Sequence, residues 1–197
     1  MYTGDGKGKT SASMGLAVRA IGQGLKVFII QFMKGGAYTG EYISAKNFLP
    51  NNEFLQYGRG CILEKKQLKL TGFEDKAHFF DYVREDIECG PCRYCFLNDD
   101  EQKRFVRLAF DKAKQITSLG DYNLVVLDEI NVAVKLGFIT INELLDLIKN
   151  KFKNTELILT GRDAHPNLIE VADLVTEMRL IKHYYDKGVS ARRGIEY

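Results

Sequence analysis

The sequence predicts an α/β fold built on a wound, mostly parallel sheet. Two observations predict it. Three apolar runs, Val27-Phe28-Ile29-Ile30, Leu124-Val125-Val126-Leu127 and Leu157-Ile158-Leu159, show no polar alternation, as expected of strands covered on both faces. Helical stripes lie between them, and a strand–helix alternation of this kind places ligands beyond the carboxyl ends of the strands.

Taken in order, Met1-Tyr2-Thr3 is all that precedes a glycine-rich loop, fewer than the roughly five residues of an ordinary strand. Either the first strand is stunted or Met1 is not the natural start. Met14, Ala17, Val18 and Ile21 then fall at helical spacing, with Gly22 and Gly24 as stop signals. A second stripe, Phe105, Leu108, Ala109, Ala113 and Ile116, ends near Gly120. Thr140 with Glu143 reads as a capping box ahead of Leu144, Leu145, Leu147 and Ile148. From about Glu64 to Asp100 the alternation is interrupted by a lysine-rich, then aromatic (Phe73, Phe79, Phe80, Tyr82), then cysteine-rich stretch. We read it as an insertion within a single domain spanning 1–197.

Composition narrows the function classes. With 45% hydrophobic and 27% charged residues, the chain is an ordinary globular protein rather than a disordered one. Lys and Arg exceed Asp and Glu only by 28 to 26 with no basic block, so nothing predicts a nucleic-acid partner. No apolar run approaches the roughly 18–20 residues of a membrane span, and no signal peptide is visible. The expectation is a cytoplasmic protein without a membrane partner.

The loop Thr3-Gly-Asp-Gly-Lys-Gly-Lys-Thr-Ser11 resembles the phosphate-binding G-x-x-x-x-G-K-[ST] pattern, with Thr3 at the first glycine position. Gly4, Gly6 and Gly8 let successive N–H groups point at phosphate oxygens, while Asp5, Lys7 and Ser11 complete the cradle. Lys9 adds a mobile positive charge. Thr10 opens a helix, where its hydroxyl is placed for Mg²⁺ and the helix dipole favours an anion. A surface turn is the simpler alternative, but the apolar run into Asp128-Glu129 supplies the strand-end acid that such proteins use beside their metal. Together these predict a RecA-like phosphate-loop NTPase fold. Arg162, in a strand-end loop, is a candidate phosphate ligand, with a surface salt bridge as the equal alternative.

Four cysteines lie between positions 61 and 95. In a reducing compartment that clustering argues for metal over disulfides. Cys89-x₂-Cys92-x₂-Cys95 matches three positions of a bacterial iron–sulfur run, and Asp99 stands where the fourth cysteine would come. Cys61 is available to complete four thiolates. Zinc accepts the same four, or three with His78, so Zn²⁺ and a [4Fe-4S] cluster stay open.

The chain resembles the homodimeric, phosphate-loop type of ATP-dependent corrinoid (cob(I)alamin) adenosyltransferase. The matching stretches are Thr3–Thr10, Gln31-Phe-Met-Lys-Gly35, Leu127-Asp-Glu129, Thr160-Gly-Arg162 with His165, Lys182-His183 with Asp186-Lys-Gly188, and Gly194-Ile-Glu-Tyr197. The resemblance implies a reaction in which Co(I) of a corrinoid attacks the ribose 5′ carbon of ATP and releases triphosphate. By this resemblance Lys9, Thr10 and Glu129 carry the chemistry, Thr10, Asp128 and Glu129 serve Mg²⁺, and Arg19 lies near the nucleotide. It also implies a homodimer and an electron donor such as a flavodoxin or ferredoxin. Where the family's corrinoid-facing segment reads G-x-G-F-x-W, this chain has Gly58-Arg-Gly60-Cys61-Ile62-Leu63, and it contains no tryptophan. Cys61 therefore stands at a corrinoid-facing position, where an iron–sulfur centre would be placed to pass an electron to Co(II). Phe73, Phe79, Phe80 or Phe96 of the insertion are substitutes for the lost aromatic pair, or simply the insertion's own core. His165 and His183 are assigned substrate-side or structural roles, and Arg192 and Arg193 either meet phosphate or corrinoid amides or are solvated.

Two other functions compete. A nucleoside kinase with a four-cysteine zinc insertion accounts for the cysteines but not for Gln31–Gly35 or the C-terminal motif. A non-catalytic ATP- and corrinoid-binding carrier or regulator accounts for the missing aromatic pair.

Overall fold

The computed structural model describes residues 1–36, 39–60, 94–189 and 191–196. Residues 61–93, with Cys61 and the insertion's His78, Cys89, Cys92, Phe73, Phe79 and Phe80, lie outside the described residues, as does the side chain of Phe96.

Four strands form a parallel sheet in the order β3-β2-β4-β5, where β2 is Val27–Phe32, β3 Asn52–Tyr57, β4 Leu124–Asp128 and β5 Glu156–Leu159. Every residue of β2 and β4 is buried, which is why those stretches read as unbroken apolar runs. A short parallel pair, β1 (Tyr2–Thr3) with β6 (Thr176–Glu177), is tied to the edge of that sheet by a bridge between Tyr2 and Thr160. β1 is two residues long.

Helices cover both faces. On one side α1 (Lys9–Gly22) and α2 (Gly40–Phe48) pack through Ala17, Ile21 and Ala45 on Val27, Ile29, Phe54 and Val126. On the other, α3 (Asp100–Leu119), α4 (Ile130–Lys135), α5 (Ile141–Asn150) and α6 (Pro166–Val171) enclose the larger cluster around Phe28, Ile30, Phe32, Phe110, Leu127 and Leu144. Val27 and Ile29 face one cluster, Phe28 and Ile30 the other, following the two-residue period of a strand.

Two helical stripes are corrected in detail. In α1 the buried side chains are Lys9, Ser13, Ala17 and Ile21, each four residues apart, and Val18 is 47% exposed. In α3 the inward face runs Gln102, Val106, Ala109, Phe110, Ala113, Ile116 and Thr117, with Phe105 at its margin and Leu108 half exposed. The face rotates by one residue because Phe110, the largest side chain on the helix to be fully buried, occupies its centre.

Helix ends are chemically specified. Asp99 caps α3 by accepting from the Gln102 N–H at 3.0 Å, and acidic Asp100 and Glu101 fill the first turn. Thr140 and Glu143 form the expected capping box on α5: Thr140 Oγ1 accepts from the Glu143 N–H at 3.2 Å, and Glu143 Oε2 accepts from the Thr140 N–H at 2.9 Å. His165 caps α6 with its ring Nδ1, which accepts from the Asn167 N–H. That is a structural role.

Two stability tests follow from this packing. Phe110→Ala removes a side chain with 0% exposure and is expected to cost about 3–5 kcal/mol in denaturant unfolding. Glu143, held down to about 2 by the Thr140 N–H and by Arg107, stabilises the fold above the ordinary carboxylate range and loses that contribution as pH falls through about 2. Glu143→Ala should therefore cost about 1 kcal/mol near neutrality, and thermal melts of variant and parent should converge toward pH 2.

Candidate nucleotide site

The site lies at the carboxyl end of the sheet. Its first element is the loop between β1 and α1. The Gly6 N–H donates to the Met178 carbonyl at 2.7 Å, and the Met178 N–H donates to the Thr3 carbonyl at 2.8 Å. A Cβ on Gly4 would stand 2.5 Å from that Met178 oxygen, and Gly4 adopts φ +92°. Only glycine lets the loop pass this close to the segment after β6. The loop tolerates Thr3 because the turn begins one residue later.

Lys9, buried beneath the loop, donates from Nζ to the carbonyls of Gly4 at 2.6 Å and Gly6 at 2.7 Å. Burial, reinforced by Arg162, lowers its pKa, while Glu129, Asp5 and Asp128 act in the opposite sense. Ammonium and loop are thereby preset around a space that an anion fits, at the N-terminus of a 14-residue helix.

The second element is a row of polar side chains crossing the strand ends. Gln56, Gln31 and Asp128 are register partners on β3, β2 and β4. Gln56 Nε2 donates to Gln31 Oε1 at 2.7 Å, and Gln31 Nε2 donates to Asp128 Oδ2 at 3.0 Å and to Glu41 Oε1 at 3.0 Å. Thr160, just past β5, donates its hydroxyl to Asp128 Oδ1 at 2.6 Å and accepts from the Glu129 N–H at 3.0 Å. Asp128, 1% exposed, also accepts from Thr10 Oγ1 at 2.9 Å and Lys34 Nζ at 2.9 Å. Burial would raise the Asp128 pKa, but Lys34, Thr160 and Thr10 outweigh it and hold the carboxyl below its usual range. Asp128 is an anion with four donors.

Glu129, the next residue, has φ +64°. A non-glycine residue in this region marks strain held by its surroundings: here the Glu129 N–H bonds Thr160, and the Asn131 N–H bonds the Thr160 carbonyl at 3.1 Å. The result is a carboxylate turned to the cavity beside the loop. Burial and the neighbouring Asp128 raise its pKa, against Lys34, Lys9 and Arg162.

A cavity of about 910 Å³ joins these pieces, lined by loop residues Gly6–Ser11 and by Met14, Lys34, Glu41, Glu129, Arg162 and Tyr184, among others. Its volume suits a nucleotide-sized ligand. Lys34 belongs to a turn that can exist only with two glycines in contact: a Cβ on Gly35 would lie 2.3 Å from the Gly58 carbonyl oxygen, and one on Gly58 2.5 Å from the Lys34 N. Gly194, Ile195 and Glu196 also line the cavity. Glu196 bonds the Tyr184 hydroxyl and takes Lys7 Nζ at 3.1 Å, while Arg192 stacks 4.9 Å from the Tyr184 ring centroid.

Of the residues expected from sequence, Gly6, Lys7, Gly8, Lys9, Thr10, Ser11, Glu129 and Arg162 line the cavity, and Gly4 supports it from behind through Lys9. Asp5 is exposed and outside the lining, and Asp128 lies behind Thr10 rather than on the cavity wall. Arg19 is exposed in the last turn of α1, about 15 Å along the helix axis from Lys9. It does not reach the cavity of its own chain. Thr10 and Glu129 offer hard oxygen donors on one cavity wall, the donor set that magnesium takes. Arg59 is buried and pairs with Asp99 at 2.6 Å and Glu101 at 2.6 Å. Asp99, at the place of a fourth cysteine, thus works as helix cap and ion-pair partner. His183 Nδ1 accepts from the Tyr185 N–H at 2.9 Å, again a structural role.

Sequence reasoning did not single out Lys34, Gln31, Glu41, Thr160, Tyr184 or Glu196 as site residues. The detectable signal was Gln31 itself, a polar residue in an otherwise apolar, fully buried strand, which requires buried partners.

The chain matches the profile of the family described as ATP:corrinoid adenosyltransferase BtuR/CobO/CobP over residues 1–101 and 74–197. The corrinoid adenosyltransferase of Pseudomonas aeruginosa is 32% identical over 197 residues, spanning 100% of this chain and 82% of the relative. That of Sinorhizobium sp is 34% identical over 197 residues, spanning 99% and 78%, and that of Escherichia coli (strain K12) is 31% identical over 199 residues, spanning 100% and 84%. A phosphate-loop cavity at the carboxyl end of a parallel sheet, and relatives aligned along the whole chain, lead to one conclusion: this chain belongs to the ATP:corrinoid adenosyltransferase family.

Proposed function

We infer that this chain carries out the reaction for which its family is named, the transfer of the adenosyl group of ATP to a corrinoid, and that the cavity above the Gly4–Thr10 loop is where ATP is held. The observation that carries the assignment of the site is the set of four cationic side chains, Lys7, Lys9, Lys34 and Arg162, lining one cavity with the N-terminus of α1.

The chemistry asks for such a set. The nucleophile is Co(I) of the corrinoid substrate, so no side chain need take a proton from it. As the bond from the ribose 5′ carbon to oxygen breaks, negative charge gathers on the departing triphosphate. Donors already in place there stabilise that charge more in the transition state than in the ground state. Lys9 and the loop N–H groups bind the phosphates, and Arg162 adds charge from the β5 side. Thr10 and Glu129 would hold magnesium, which when bound supplies further charge neutralisation to the leaving group. Asp128 holds the Thr10 hydroxyl in position at 2.9 Å.

Support for the corrinoid side comes from the chain path. Gly58 and Arg59, within the segment that resembles the family's corrinoid-facing stretch, press against Lys34 and Gly35, and Lys34 lines the nucleotide cavity. A homodimer, an electron donor of the flavodoxin or ferredoxin class and a metal at Cys61, Cys89, Cys92 and Cys95 belong to this reading as proposals resting on the sequence.

Anaerobic incubation with Co(I) corrinoid and MgATP, followed by the corrinoid visible spectrum, tests the reading. The expected result is a light-sensitive adenosylated product, with Lys9→Ala slower by roughly 10²–10³-fold. Binding of both ligands without a carbon–cobalt bond would overturn it in favour of a carrier. Glu129→Gln should raise the magnesium concentration for half-maximal rate by about 10–100-fold, and an unchanged magnesium dependence would remove Glu129 from that role.

A further inference from the structure

We propose that Lys34 is the resident counter-cation of the metal position: its ammonium lies against the Asp128 carboxylate, beside the Thr10 hydroxyl, until a divalent cation and nucleotide enter together, when it transfers to the phosphates. The inference rests on the reading of the cavity as the ATP site and concerns a residue to which that reading gives no individual role.

Three observations carry it. First, Lys34 Nζ is 2.9 Å from Asp128 Oδ2, 3.5 Å from Thr10 Oγ1 and 3.6 Å from Glu41 Oε1. It therefore touches the hydroxyl expected to serve the metal and neutralises the acid behind it. Second, its side chain keeps 26% of its exposure and lines the cavity, so an open path leads toward the phosphate side. Third, the surroundings are arranged for a cation whether or not Lys34 is present. Asp128 is 1% exposed and accepts from four donors, Glu41 is held by Gln31 Nε2 at 3.0 Å, and Glu129 looks into the same cavity.

An ammonium and a divalent cation cannot share that space, since like charges a few ångströms apart repel strongly at the effective dielectric of a partly buried site. Metal alone would have to expel Lys34 with nothing to receive it. Metal with a triphosphate brings the acceptor along, so Lys34 exchanges two carboxylates for phosphate oxygens. The site would then discriminate against bare metal and favour the metal–nucleotide complex.

The test is Mn²⁺ binding followed by the loss of the free-ion electron paramagnetic resonance signal, with and without ATP, on unsubstituted protein and Lys34→Gln. The expected result is that Lys34→Gln binds Mn²⁺ alone about tenfold more tightly, because the competing charge is gone, yet binds Mn²⁺–ATP less tightly than the parent. Unchanged Mn²⁺ affinity in the absence of nucleotide overturns the proposal. Failure of the unsubstituted protein to bind ATP at all would instead overturn the nucleotide reading, so the two failures are distinguishable. Should Lys34→Gln not fold, ¹⁵N-lysine labelling of the unsubstituted protein, with the Lys34 Nζ signal assigned by Lys34→Arg, gives the same answer. That signal should stay in place on adding Mg²⁺ and move on adding Mg²⁺ with tripolyphosphate. No movement with both overturns the proposal.

Discussion

The buried carboxylate of Asp128 is the point on which the site is hung. It accepts from Thr10, Gln31, Lys34 and Thr160, that is, from α1, from β2 and the turn after it, and from the end of β5. A charge taken out of water is stable only when its lone pairs are met, so these four segments must converge for the fold to be satisfied. The same convergence brings the phosphate loop, the Lys34 turn and Glu129 around one cavity. Fold stability and site geometry therefore have a common origin at the carboxyl end of the sheet.

Around that anchor the charges are balanced but unevenly placed. Carboxylates of Asp128, Glu41 and Glu196 are engaged by donors from the protein, while Lys7, Lys9, Lys34 and Arg162 line the cavity. Among the described residues Lys9 donates to the loop carbonyls of Gly4 and Gly6, partners that a phosphate can readily replace. For a reaction whose difficulty on the nucleotide side is the departure of a highly charged group, a cavity with exchangeable cations is a suitable arrangement. A proton-transfer enzyme would instead need a poised base within reach of the substrate.

Much of this was legible in sequence because the elements are locally overdetermined. β2 and β4 are apolar up to Gln31 and Asp128 since both faces are covered, the α5 capping box is spelled by Thr140 and Glu143, and the loop by its three glycines. The helix faces were less legible: Leu108 and Val18 fit an apolar stripe by spacing yet are exposed, because Phe110 and Ser13 set the rotation. Asp128 and Glu129 were recognisable as a pair, but their division of labour was not. It depends on the left-handed backbone at Glu129 and on donors from three other segments. Lys34 and Glu196 lie within stretches that resemble the family, but their individual roles arise from contacts across the fold and were not assigned from sequence.

The clasp between the phosphate loop and the segment after β6 bears on how the protein is made. Met1 is bonded to Leu174 across 173 residues, and Lys7 to Glu196 across 189. During synthesis the loop emerges well before the segment after β6 that fixes its shape, so the four central strands can assemble while the loop is still without its support. If the cavity holds ATP as proposed, a nascent chain would thus acquire a core well before it acquires affinity for ATP, and nucleotide binding would report completion of the fold rather than guide its early steps.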